Sequence, residues 1–176
     1  MGLSPRPLSP VAIAHQEGVV AVIAVLGLAF RPNGAVAALA PVGSGAAGLA
    51  AGIGVGLAGS LVLWLLRPLP PVAALEGFLR RVVDGWTPLD AAAIALLSGL
   101  AEEALVRALL QPLIGLWLAA LVFALLHVLP DRRLWFWPVM ALALGVALGL
   151  LYARWGYPAC AAAHVTLNMV GLLRLR

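Results

Sequence analysis

Apolar residues run along this chain in six blocks, about Val11–Phe30, Ala46–Leu66, Leu89–Gln111, Leu116–Leu129, Pro138–Trp155 and Pro158–Leu173. A helix needs about 20 such residues to cross a hydrocarbon layer of ~30 Å. The pattern therefore predicts an all-α, polytopic membrane bundle of about six transmembrane helices. The block at Leu116–Leu129 is short for a full crossing and is expected to tilt or stop early. The second block carries Gly48, Gly52 and Gly56 at GxxxG spacing, which predicts close helix packing. No internal repeat is evident.

One joint breaks the pattern. Between Arg67 and Thr87, the apolar residues Val72, Leu75, Phe78, Leu79, Val82, Val83 and Trp86 recur at helical spacing, with Glu76, Arg80, Arg81 and Asp84 opposite them. This predicts an amphipathic helix lying in the membrane interface. Thr87-Pro88-Leu89-Asp90 then has the form of a capping box with proline in the first turn, opening the third span.

Composition agrees with the pattern. The chain has 176 residues, of which 64% are hydrophobic and 10% charged, and its mean hydropathy is +1.07. A soluble domain of this size could not build a charged surface from so little. A single integral membrane domain, 1–176, is expected, with its chemistry concentrated in about 89–173. The amino terminus reads as an uncleaved first span, because Arg31 and Pro41 fit poorly around the cleavage-like triplet Ala38-Leu39-Ala40. Met1-Gly2 lacks the Ser or Thr at position six that a myristoylation pattern needs.

All the basic residues are arginine, and with abundant Ala, Gly and Pro this bias points to a bacterial protein of the inner membrane. With six spans, Arg6, Arg67, Arg80, Arg81, Arg132, Arg133, Arg174 and Arg176 fall on one side and only Arg31 and Arg154 on the other. The positive-inside rule then puts both termini in the cytoplasm. Trp64, Trp86, Trp135, Trp137 and Trp155 fall near the predicted boundaries, as an aromatic belt would. The net charge of +4 does not indicate nucleic-acid binding, because the arginines mark segment ends rather than a stripe. The single cysteine, Cys160, excludes an intramolecular disulfide and reads as a small apolar residue in a helix.

The candidate chemistry lies inside the apolar blocks. Glu102, Glu103 and Arg107 share one helix, His127 ends the next, and His164 and Asn168 share the last. Each charge at membrane depth costs roughly 2.5–3.5 kcal/mol on insertion scales, so these groups must pair or face a polar cavity. Glu103 and Arg107 are four apart and share a face, whereas Glu102 is turned by about 100°. Arg107 thus claims Glu103 and leaves Glu102 free for chemistry. A hairpin centred near Ile114–Gly115 brings His127 level with Glu102, where the two can share a water. His164 and Asn168, one turn apart, can both donate to a developing oxyanion. His15, beside Gln16 and Glu17 near the start of the first span, reads as interfacial.

The motifs EEALVR (Glu102–Arg107), FALLH (Phe123–His127) and HVTLN (His164–Asn168) resemble, in order, the EExxxR, FxxxH and HxxxN motifs of the CPBP family of intramembrane proteases. These proteases are related to the CAAX-processing endopeptidases and to bacteriocin-processing and immunity proteins. The stretch GVALGLLYARWGYPACAAAH resembles the region before the family's last motif. The resemblance covers about Leu89–Leu173 and implies that Glu102 and His127 activate water while His164 and Asn168 stabilise the oxyanion. Glu103, Arg107 and Phe123 would organise the site, and no metal or other cofactor is required. The implied partners are the lipid bilayer and a membrane-anchored protein or peptide, with a CAAX-like or carboxy-terminal sorting tail. The small size suits the myxosortases, although no motif distinguishes them. The short segment between Arg107 and Phe123 departs from the larger members.

Two other readings stay open on the sequence. Glu102, His127 and His164 form a chemically acceptable zinc ligand set, although HExxH is absent and no carboxylate is evident behind either histidine except Glu103. A non-catalytic adaptor or immunity protein, or a small transporter with a proton relay, would also hold acids at this depth, but a transporter usually shows repeats.

Overall fold

The computed structural model describes residues 7–32 and 34–176. Met1, Gly2 and Arg6, which enter the lipidation and orientation arguments above, lie outside them. The described chain is helical: α1 (Pro10–Ala29), α2 (Gly34–Ala38), α3 (Gly45–Leu66), α4 (Pro70–Val82), α5 (Pro88–Glu103), α6 (Gln111–Leu126), α7 (Phe136–Trp155) and α8 (Tyr157–Leu175). A π-helical turn, Ala104–Leu110, joins α5 to α6, and a short 3-10 turn, Arg132–Leu134, precedes α7. The described residues contain no strand, only an isolated bridge between Pro41 and Gly156.

Four helical stretches are long and apolar enough to cross a membrane: Pro10–Ala29, Gly45–Leu66, Pro88–Leu126 and Arg132–Trp155. The outer surface is apolar, with Val19, Val22, Val25, Leu57, Leu61, Trp117 and Leu125 exposed, while Glu17, Ser98, Glu103, Arg107, Gln111 and His164 are buried. Apolar outside and polar inside is the arrangement lipid selects. The chain is an integral membrane protein.

Helix α8 runs through the middle. One face packs on α3, where Gly48, Gly52 and Gly56 are buried. A Cβ at Gly52 would run into the Ala159 carbonyl oxygen, and one at Gly56 into the Ala163 carbonyl oxygen and Thr166. The GxxxG spacing therefore serves packing within the chain. The other face lies on α5, where Gly99 lets the backbone of Val165 approach closely and Tyr157 donates its hydroxyl to the Leu100 carbonyl at 3.0 Å.

The chain turns back at Gly115, a break inside α6 whose φ of +82° is easily reached only by glycine. Pro112 explains the π-helical turn before it. Proline has no N–H for the carbonyl four residues back and its ring crowds that carbonyl. The Ala108 carbonyl is instead taken by Arg31, whose Nη1 donates to it at 3.0 Å and to the Leu109 carbonyl at 3.3 Å. After Gly115 the helix has eleven residues to Leu126, roughly 16 Å at 1.5 Å each. That is about half of a ~30 Å hydrocarbon layer, so this helix is as short as the sequence suggests.

Helix α4 buries the apolar face predicted for it, with Val72, Leu75, Val82, Val83 and Trp86 inside. The capping box forms as expected: the Thr87 hydroxyl accepts from the Asp90 amide while the Asp90 carboxylate accepts from the Thr87 amide. One expectation needs correction. Trp86 does not belong to an interfacial belt: it is buried, and its Nε1 donates to the Leu8 carbonyl at 2.9 Å. On the polar face, Glu76 is ion-paired with Arg174 of α8. Arg80 also donates to the Leu175 carbonyl, and Leu8 donates to the Val82 carbonyl. The start of α1, α4 and the end of α8 thus meet at one end of the bundle.

Candidate active site

Glu102 and Glu103 close helix α5, and their neighbours differ as the helical geometry predicts. Glu103 is wholly buried. Its Oε2 lies 3.2 Å from Arg107 Nε, one turn on, and its Oε1 lies 2.9 Å from His164 Nδ1 on α8. The contact with Arg107 is an ion pair by distance but is angled so that no hydrogen bond forms, and both guanidinium Nη atoms also lack hydrogen-bond partners. The aromatic face of Phe123 covers the cation, with the guanidinium carbon 4.9 Å from the ring centre.

Glu102 faces the other way. Its Oε2 is 4.0 Å from His127 Nε2, and both side chains keep a little exposure, 19% and 18%. The Gly115 turn sets this register, since Glu102 and His127 stand nearly equal distances along the chain to either side of it. His127 Nδ1 lies 2.7 Å from the Phe123 carbonyl. A carbonyl can only accept, so Nδ1 carries a proton, and Nε2 is the ring nitrogen turned toward Glu102. Two polar atoms at this separation suit one bridging water, since two hydrogen bonds of ~2.8 Å at a tetrahedral angle span roughly 4.5 Å.

Phe123 is the hub. Its ring centre is 4.6 Å from that of His127 and 5.7 Å from that of His164. Its carbonyl fixes one histidine while its ring packs on both and covers Arg107. Asn168, one turn beyond His164, donates from Nδ2 to Ser98 Oγ at 3.0 Å. Six of the seven residues singled out from the sequence are thus linked to one another, and the seventh, Asn168, meets Ser98 on α5. Cys160 is buried, its thiol donating to the Tyr157 carbonyl at 3.2 Å, the quiet role expected of it.

The sequence reading missed two residues and one contact. Ser98 is four residues before Glu102 and so shares its face; that spacing was the available signal. His15 and Gln16 are exposed, but Glu17 beside them is turned inward and buried. Glu103 serves His164 as well as Arg107, so a carboxylate does stand behind that histidine. A zinc ion would need three ligand atoms within roughly 2.0–2.2 Å of one point. Among the described residues no group of three His, Cys, Asp or Glu side chains is placed to hold a metal ion.

Residues 84–170, which span all three motifs, match the family described as Type II CAAX prenyl endopeptidase Rce1-like. Through this stretch the chain belongs to the Rce1-like family. That agrees with the CPBP resemblance and makes the chain a member of a family of membrane proteases. The Rce1-like match takes in α5 to α7 and most of α8 and leaves α1 to α4 outside it. No curated protein and no solved structure matches the chain.

Proposed function

We propose that this protein is an intramembrane endopeptidase of the glutamate type, which hydrolyses a peptide bond near the membrane in a membrane-anchored protein or peptide. The observation that carries the reading is the division between the two acids. Glu103 is committed to Arg107 and His164, whereas Glu102 stands apart from that pair, 4.0 Å from His127 Nε2.

The chemistry follows from these atoms. A water between Glu102 and His127 Nε2 gives its proton to Glu102 as its oxygen attacks the carbonyl carbon of the scissile bond. The carbonyl oxygen becomes the oxyanion and accepts from Asn168 Nδ2 and from His164 Nε2. Because His164 Nδ1 already donates to Glu103, the ring can give a second hydrogen bond only as imidazolium, with its charge against that carboxylate. The C–N bond then breaks, and Glu102 returns its proton to the leaving amine. Glu103, Arg107 and Phe123 hold these groups in place.

The proposed topology has six traverses with both termini in the cytoplasm of a bacterial inner membrane. It is supported by the gathering of α4, the start of α1 and the end of α8, all at the arginine-rich end. The substrate, as the family's name suggests, is a membrane-anchored chain with a CAAX-like or sorting-type tail. The test uses purified protein in proteoliposomes with a membrane-tethered peptide. Cleavage is expected to persist after chelator treatment, with zinc well below one per chain. Activity that vanishes with chelator and returns with zinc would instead make Glu102, His127 and His164 metal ligands.

A further inference from the structure

Helix α1 lies outside the matched residues, yet it brings a carboxylate to the site. The buried residues of α1 are Glu17, Ala24 and Leu28, a single stripe at spacings of seven and four. That stripe faces α5. Leu8 meets Val82 and Trp86 at one end, and Arg31 meets Ala108 and Leu109 at the other. The two helices therefore run parallel, and each α1 residue is level with the one about 78 positions later. Glu17 is thus level with Ala95, about one turn from Ser98 and roughly 10 Å along the axis from Glu102.

Glu17 is only 6% exposed, and its Oε2 is buried with no hydrogen-bond partner. A carboxylate oxygen is not left in that condition without cost. The cationic groups of the site, Arg107 and His164, are already committed to Glu103. A peptide drawn into the bundle has the complementary need, because its N–H groups leave water and must find acceptors.

We propose that Glu17 is a substrate-positioning residue that accepts a hydrogen bond from an N–H donor of the bound substrate, on the arginine-rich side of the scissile bond. This rests on the endopeptidase reading above.

The experiment measures cleavage of one fluorescent membrane-tethered peptide by wild type, Glu17→Leu and Glu17→Gln in proteoliposomes. Binding of the same peptide is measured in the Glu102→Gln background. Glu17→Leu should raise KM, and weaken binding, by about ten- to a hundredfold, the range for a hydrogen bond to a charged group. The value of kcat should stay within about twofold and the melting temperature should not fall, since no protein partner is lost. Glu17→Gln keeps an acceptor oxygen: near-wild-type binding identifies the donor as a backbone amide, and loss like that of Glu17→Leu identifies it as a cationic group. Unchanged KM and binding in Glu17→Leu would overturn the proposal, as would a fall in melting temperature that accounts for the loss. If the wild type itself fails to cleave while the peptide still binds in a Glu17-dependent way, the endopeptidase reading fails and this one stands.

Discussion

Helix α8 has two working faces, and they are held by different physics. Toward α3 it presents Ala159, Ala163 and Thr166 to a row of glycines, with no side-chain hydrogen bond between the two helices among the described residues. Toward α5 it presents His164 and Asn168, which bond to Glu103 and Ser98. In lipid no hydrophobic force draws helices together, so close approach and polar contacts must do so. The glycine face gains from close packing and carries no chemistry. The polar face has desolvated ions to compensate, and what it gains is a fixed geometry for reactive groups. The fold is thus steadied on one side of α8 so that the other side can hold charges.

The largest predicted effect is on the polar face. Glu103→Gln or Arg107→Ala leaves the partner's charge buried and unpaired, at a cost of about 3–5 kcal/mol. Thermal unfolding in detergent should show a large drop in melting temperature together with loss of activity. Unchanged stability would mean that the pair is not the anchor of this face.

A smaller effect is expected on the other face. Gly52→Val forces a side chain against the Ala159 carbonyl and should cost about 1–3 kcal/mol, as overpacking does. Cleavage per folded molecule should stay near wild type. A specific loss of kcat in well-folded Gly52→Val would show that the two faces are not independent.

The smallest effect separates positioning from packing. Ser98→Ala removes the hydroxyl that receives Asn168 and should cost about 0.5–1.5 kcal/mol. If Asn168 serves the oxyanion, that loss falls on kcat, by about two- to tenfold, and leaves KM alone. A change in KM with kcat intact would take Asn168 out of the chemical step.

The helices were legible because lipid imposes one long signal on each. The α4 stripe and the Thr87–Asp90 box were legible because periodicity and capping are local. The pairing of Glu103 with Arg107 followed from four-residue spacing, and the alignment of Glu102 with His127 followed from a turn at Gly115. What stayed hidden depended on contacts between distant helices. Nothing in the spacing around Glu17 says which face of α1 meets α5, and Trp86 looks like a belt residue until Leu8 is seen against it. The link from Glu103 to His164 joins residues 61 apart. The π-helical turn had its cause in Pro112, but its remedy, Arg31, lies 77 residues before the carbonyl it serves.

The central claim is that Glu102 is the free, reacting carboxylate and Glu103 the structural one. Its most direct test is the turnover of purified Glu102→Gln, measured on the membrane-tethered peptide beside its melting temperature. The account predicts a loss of kcat of about 10²–10⁴-fold, the range for removing a general base, with wild-type stability because Glu102 makes no ion pair that holds the fold. Full turnover by Glu102→Gln, in protein that is folded and free of contaminating protease, would contradict it.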